Sequence, residues 1–297
     1  MKPLLETLTS GADYLAKRGV EDARLNMEHL LAHVLGCRRL DLYLRFDQVL
    51  QEAQLKPLRD LTRRRGEGEP LQHLLGTVEF YGAELVSDER ALVPRPETER
   101  LVEMVVKRFS AAPPAKVLDM GAGSGCIGLS LAKAWPQAEV VLADISEDAL
   151  ELARLNATRL NLQGQNVRLV RSDLFEKITG QFDLIVANLP YIPAGEIAEL
   201  SREVQRDPWS ALDGGPSGLE IVKRFDEACV EHLTEEGCIA LELGHDQSVR
   251  VVESLRAAAF RDIEAASDLA GIERFVFARR PVSLKIESSS PLPPPTE

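Results

Sequence analysis

Hydrophobic and polar positions divide this chain into two regimes. In residues 1–75 the apolar side chains recur at helical spacing. Leu25, Met27, Leu30, Leu31, Val34 and Leu35 form one such run, and Gly36 is its natural stop. Asp47 reads as the cap of a following helix that holds Val49, Leu50, Leu55 and Leu58, with Pro57 an early-turn residue of a separate helix. No sustained alternation of apolar and polar residues occurs there, which predicts a small helical bundle. From about residue 115 the pattern changes to short apolar runs separated by helical stretches. The runs are Lys116–Met120, Glu139–Ala143, Val167–Arg171, Asp183–Ala187, Cys238–Leu243 and Arg274–Ala278, with helices at Ala149–Leu160 and Leu219–Leu233 among others. Strand–helix alternation of this kind predicts a mostly parallel, doubly wound α/β sheet with helices on both faces.

Between the regimes, Val78–Gly82 and Glu84–Val86 read as a hairpin. The segment Val93-Pro94-Arg95-Pro96 is too stiff for helix until Pro96 opens one. The expected organisation is therefore 1–75 helical, 76–95 hairpin and linker, 96–280 the α/β domain, and 281–297 a disordered Pro- and Ser-rich tail.

Composition narrows the function classes. The chain of 297 residues carries a net charge of −12, split as +1 over residues 1–75 and −13 over the rest. An acidic α/β domain disfavours broad binding to nucleic-acid phosphates. No run approaches the length of a membrane span, and the first residues lack a signal peptide's apolar core, so a cytoplasmic protein is expected. Four scattered cysteines offer neither a zinc pattern nor a disulfide framework. His29 and His33 stand at i, i+4 without a third ligand nearby, so no metal is expected.

Two segments carry candidate chemistry. The run Val117–Met120 leads into Gly121-Ala122-Gly123-Ser124-Gly125, a glycine-rich turn after a strand and before a helix, the context in which backbone approaches a nucleotide closely. A dinucleotide fingerprint wants Gly or Ala at the sixth position, where Cys126 stands. The G-x-G-x-G spacing instead resembles motif I of class I S-adenosylmethionine-dependent methyltransferases. Asp144, ending the next strand, suits a pair of ribose hydroxyls, although this residue alone does not separate NAD from S-adenosylmethionine. Asp173 and Leu174, after the third strand, are where such enzymes contact the adenine.

The second segment is Asn188-Leu189-Pro190-Tyr191, directly after Leu184–Ala187. The Asn188 side-chain oxygen and the Leu189 carbonyl form a pair of acceptors for a planar NH2 group. Pro190 restrains the Leu189 backbone, and Tyr191 offers a stacking face. Both amides and adenines present such a group.

Across its length the sequence resembles the HemK/PrmC family of protein-(glutamine-N5) methyltransferases. The resemblance rests on Glu69–Gly76, Pro94–Glu99, Asp119–Ile127, Asp144–Ser146, Asn188–Ile192, Ala211–Leu219 and Asp268–Arg274. It implies a class I methyltransferase fold behind a helical substrate-recognition domain. It also implies S-adenosylmethionine as methyl donor and the Gly-Gly-Gln loop of peptide-chain release factors as substrate. The family's usual second acceptor residue is Pro, whereas this chain has Leu189, as do rRNA adenine N6-dimethyltransferases. The related ribosomal-protein L3 glutamine methyltransferases typically carry Pro-Arg-Ser-Pro where this chain has Pro94–Glu97. The release-factor branch is therefore favoured, with no direct nucleic-acid partner and no membrane.

Overall fold

A computed structural model of the chain describes residues 2–282, apart from 163 and 165. Residues 283–297 of the expected tail lie outside the described residues.

The N-terminal elements are β1 (Lys2–Pro3), α1 (Leu4–Ala16), α2 (Ala23–Leu35), a 3-10 helix (Arg39–Leu44), β2 (Val49–Leu50), α3 (Glu52–Gly66) and α4 (Leu71–Leu75). Leu4, Leu8 and Leu15 of α1, Leu30 and Leu31 of α2, and Leu55 and Leu58 of α3 bury together in a core of their own. Gly36 ends α2 as expected, with φ 61° in the left-handed region. Three expectations fail here. Val49 and Leu50 are strand, because they pair antiparallel with Pro3 and Lys2. The helix starts only at Glu52, after Gln51, whose N–H donates to Gln54 Oε1 at 3.0 Å, so Asp47 caps nothing. Pro57 lies inside this one continuous helix rather than opening another. Its exposed position leaves the carbonyl that loses an N–H partner open to water.

The hairpin comprises β3 (Thr77–Phe80) and β4 (Ala83–Val86). It turns on Tyr81 and Gly82, both at positive φ (48° and 66°), as a two-residue turn with matching twist requires. Next come α5 (Pro96–Arg108), β5 (Lys116–Met120), α6 (Cys126–Ala134), β6 (Glu139–Asp144), α7 (Glu147–Arg159), β7 (Val167–Arg171) and β8 (Phe182–Asn188). The chain ends with α8 (Glu220–Cys229), β9 (Leu233–Glu242), α9 (Ser248–Ala257), β10 (Arg261–Ser267) and β11 (Glu273–Arg279).

The seven strands β5–β11 form one sheet in the order β10-β11-β9-β8-β5-β6-β7. Strands β7, β6, β5, β8 and β9 run parallel, while β11 is antiparallel to β9 and β10 to β11. Alternate residues feed the two faces. Val117, Leu184 and Val186 join Leu101, Leu129 and Ala153 on one side. Leu118, Ile185 and Ala187 join Phe225, Val251 and Leu255 on the other.

The C-terminal elements differ from the sequence reading. Helix α8 stops at Cys229 and continues only as a 3-10 turn to His232, and β9 begins at Leu233. Strand β10 was not anticipated, because Arg261–Ser267 is a half-buried edge with little apolar content and owes its form to pairing with β11. The chain builds outward from β5 to β7, then returns to place β8 on the other side of β5. That reversal opens a crevice at the C-terminal ends of β5 and β8, where open α/β sheets bind ligands.

Candidate active site

The glycine turn leaves β5 with Gly121, Gly123 and Gly125 all at positive φ (73°, 54° and 81°). The Gly121 and Ala122 N–H groups donate to the Ala143 carbonyl at 2.8 and 3.0 Å, pinning the turn to β6. Asp144 reinforces the pin. Its Oδ2 accepts from the Gly123 N–H at 2.8 Å, and its Oδ1 accepts from the Ser146 N–H at 2.9 Å. Burial raises the Asp144 pKa, and the hydrogen bonds from Ser146, Gly123 and Ile145 oppose that rise. Each carboxylate oxygen keeps a further lone pair for a ligand hydroxyl. The helix N-cap next door is Ser146, whose Oγ accepts from the Ala149 N–H at 3.2 Å, so Asp144 is not spent on capping α7.

A cavity of about 410 Å³ opens over this turn. Gly121, Ala122, Gly123, Ser124, Asp144, Asp173, Leu174 and Asn188 all line it, so the sequence-predicted cofactor residues converge. Gly125 is the exception. A Cβ there would lie 3.0 Å from Leu129 and Leu142 and 3.2 Å from Ala153, so this glycine serves helix–sheet packing instead. One oxygen of Asp173 already accepts from Arg224 Nη2 at 3.0 Å. The cavity's size suits a nucleoside-bearing molecule. Bare backbone on one wall and the Asp144 carboxylate at the end of β6 fit the adenosine and ribose of S-adenosylmethionine.

A second cavity of about 250 Å³ meets the first along Leu92, Arg95, Asn188, Leu189 and Ala211, which line both. Pro190 faces only the first, whereas Tyr191, Glu242 and Arg274 face only the second. Asn188 Nδ2 donates to Thr98 Oγ1 at 3.0 Å, and no donor among the described residues reaches Asn188 Oδ1. The amide thus presents an acceptor at the junction. Leu189 is buried, and its side chain sits so close to the glycine turn that a Cβ on Gly121 would lie 3.0 Å from Leu189 Cδ2. Burial pushes the Tyr191 phenol up to about 12, so it stays neutral.

The sequence reading missed the residues that hold this arrangement. Residues 211–219 wrap the Asn188–Ile192 loop. The Ile192 N–H donates to the Leu212 carbonyl at 3.0 Å, and the Gly214 N–H donates to the Ile192 carbonyl at 2.9 Å. Gly214 and Gly218 permit this contact, since Cβ atoms there would fall 2.8 Å from Tyr191 Cα and 2.4 Å from the Tyr191 carbonyl oxygen. Asp207 is buried and accepts from Arg95 Nη2 at 2.8 Å and the Val93 N–H at 3.3 Å, which straps the linker to the segment roofing both cavities. Burial pushes its pKa up to about 6 against the pull of Arg95. Arg65 of α3 donates to Asn26 Oδ1 at 2.7 Å and to Glu203 Oε2 at 2.6 Å, tying the helical domain to the same roof. Their residue types carry no local signal, because each partner is far along the chain.

Comparison with known proteins agrees with this geometry. The PrmC N-terminal domain family matches residues 6–76, and the methyltransferase small domain family matches residues 97–206. The release factor glutamine methyltransferase of Geobacter sulfurreducens is 42% identical over 94% of this chain and 98% of its own length. That of Rhodopirellula baltica is 41% identical over 92% and 94%. A methyltransferase structure from Pyrococcus furiosus superposes with a TM-score of 0.52 at 20% identity, over 68% of this chain and 90% of that one, and shares the fold.

Proposed function

The chain belongs to the release factor glutamine methyltransferases, and from that premise we propose which of its residues carry the transfer. The enzyme moves a methyl group from S-adenosylmethionine to the side-chain amide nitrogen of a glutamine in a release factor. Within that activity, the proposal assigns the substrate glutamine to the Gly-Gly-Gln loop and gives the helical domain, residues 1–75, the task of recognising the partner protein.

S-adenosylmethionine supplies an electrophilic methyl on a sulfonium. Gly121 to Ser124 give it a close backbone wall. Asp144 accepts from the ribose hydroxyls, while Asp173 and Leu174 flank the adenine. An amide nitrogen is a weak nucleophile because its lone pair is delocalised, so the protein's task is alignment and charge stabilisation. Asn188 Oδ1 and the Leu189 carbonyl accept the two N–H hydrogens and turn the nitrogen toward the methyl. As the nitrogen becomes positive, both hydrogen bonds strengthen; the sulfonium sulfur departs as a neutral thioether, and one of the held N–H protons, made acidic by the transfer, passes to water. Pro190 stiffens the carbonyl's backbone, and Tyr191, kept neutral by burial, covers the planar group.

The observation that carries this reading is the Asn188 amide, with Nδ2 engaged by Thr98 and Oδ1 left free among the described residues where the two cavities meet. The test uses labelled S-adenosylmethionine with release factor, ribosomal protein L3 and rRNA offered separately. Label on the release factor is expected. Label on rRNA alone would overturn the assignment. Asn188→Ala is expected to lower transfer by about 10²–10³-fold while cofactor binding persists. Loss of cofactor binding in that variant would move Asn188 out of the acceptor role.

A further inference from the structure

The orientation of the Asn188 amide is the critical detail of the acceptor site. Turned by 180°, the same side chain would present an NH2 to the substrate's NH2, and two donors would face each other. Neither Leu189 nor the strand backbone dictates which end points outward. Something behind the amide must.

Two buried side chains stand there. Glu242 ends β9 and is the register partner of Asn188 at the end of β8, so the two lie side by side at the sheet's C-terminal edge. Thr98 sits in the first turn of α5, which begins at Pro96. They are 2% and 3% exposed respectively. Thr98 Oγ1 accepts from Asn188 Nδ2 at 3.0 Å, and the polar side chains of Thr98 and Asn188 favour the charged form of the Glu242 carboxyl beside them. Glu242 Oε2 is buried without a hydrogen-bond partner among the described residues.

We infer that Thr98 and Glu242 are positioning residues that lock the Asn188 amide with its oxygen toward the substrate. This deepens the acceptor role given to Asn188 and rests on it. An ionised carboxylate only accepts. It takes the Thr98 hydroxyl hydrogen, which leaves Thr98 only lone pairs to offer Asn188. Nδ2 must then face inward and Oδ1 outward. A protonated Glu242 loses that authority, because its own O–H can donate to either neighbour and the flipped amide becomes tolerable.

Burial pushes the Glu242 carboxyl up to about 7. Glu97 of α5 pushes the same way, whereas Thr98, Arg274 of β11 and Asn188 favour the charged form. Tyr191, following β8, and Cys126 of α6 also face this charge, and both are themselves held neutral by burial. The lock therefore engages as pH rises through neutrality.

The test compares Thr98→Val, Thr98→Ser and Glu242→Gln in the full chain with release factor as substrate, measuring kcat, KM, the Kd for S-adenosylmethionine and the pH profile of kcat. Thr98→Val keeps the shape and removes the hydroxyl. It is expected to lower kcat about a hundredfold with the cofactor Kd unchanged, as misplacing a reacting group does. Thr98→Ser restores the hydroxyl and is expected to recover the rate to within about tenfold of the parent. In the parent enzyme kcat is expected to rise as pH passes through about 7, and Glu242→Gln is expected to lack that limb. Parental kcat in Thr98→Val, a Thr98→Ser variant as slow as Thr98→Val, or loss of cofactor binding in Thr98→Val would each overturn the inference. Persistence of the acid limb in Glu242→Gln would remove Glu242 from it. Asn188→Ala separates the two levels. If that variant transfers normally, the acceptor role itself falls. If it is inactive while Thr98→Val is normal, only the lock falls.

Discussion

At the scale of single residues, the site is governed by where a side chain is absent as much as by where one is present. Gly121 has φ 73°, and a Cβ would lie 3.0 Å from Leu189 Cδ2, so this one position joins the glycine turn to the Asn188–Tyr191 loop. Gly121→Ala combines left-handed backbone strain of about 1–2 kcal/mol with pressure on Leu189. It is expected to lower the melting temperature and weaken S-adenosylmethionine binding, which calorimetry reads directly. Gly121, Gly123 and Asp144 were legible in the sequence because a turn between a strand and a helix advertises itself locally. Thr98 and Glu242 were not. Thr98 was visible only as part of the Arg95–Glu99 string, and its partners lie 90 and 144 positions later, so no spacing rule joins them.

At the scale of elements, the segment 193–213 roofs both cavities and contains little regular structure beyond short 3-10 turns. Its order comes from fastenings made by other elements. Arg95 and Val93 hold Asp207 from the linker, and Arg65 holds Glu203 from α3. The Arg65 side chain is 7% exposed, so removing it leaves the Asn26 amide oxygen and the Glu69 carbonyl without their donor and deprives the part-buried Glu203 carboxylate of its ion pair. Arg65→Ala is expected to destabilise the protein by about 3 kcal/mol, whereas Glu203→Gln, which preserves an acceptor, costs less. Thermal denaturation of both variants checks the order. The helix periods of the N-terminal region were readable, but the pairing that turns Val49 and Leu50 into strand was not, because β1 supplies it from the other end of the domain.

At the scale of the whole molecule, the sheet buries acidic side chains that ordinary surface chemistry would leave charged. Asp119, Asp226 and Glu242 are all pushed up to about 7 by desolvation. A folded-state pKa raised above the unfolded values of 3.8 and 4.5 means the folded state holds its proton more tightly. The stability these groups contribute is fully present below about pH 4 and is lost as pH rises through about 7. Asp226 lies on α8, away from both cavities, with Oδ1 unpartnered among the described residues. Asp226→Asn is expected to raise stability at pH 8 by about 1–3 kcal/mol, with the gain shrinking toward pH 5. Melting curves across that range decide it. A gain independent of pH would assign the effect to packing instead.

The sequence by itself determined the parts whose causes are local. These are the strand–turn–glycine segment, the acid that ends the second parallel strand, the Asn188–Tyr191 tetrapeptide after β8, and the alternation that makes a parallel sheet. Each is encoded by neighbours within a few residues, through backbone freedom, side-chain period or turn chemistry. Only the tertiary structure decided what surrounds the tetrapeptide. It separated Gly125, which packs a helix, from the glycines that face the cavity. It set Pro190 and Tyr191 on different sides of the junction, and placed Thr98 and Glu242 behind Asn188. The physical reason is that burial and hydrogen-bond direction depend on which distant strands and helices come together, and a chain read in order contains no record of that meeting.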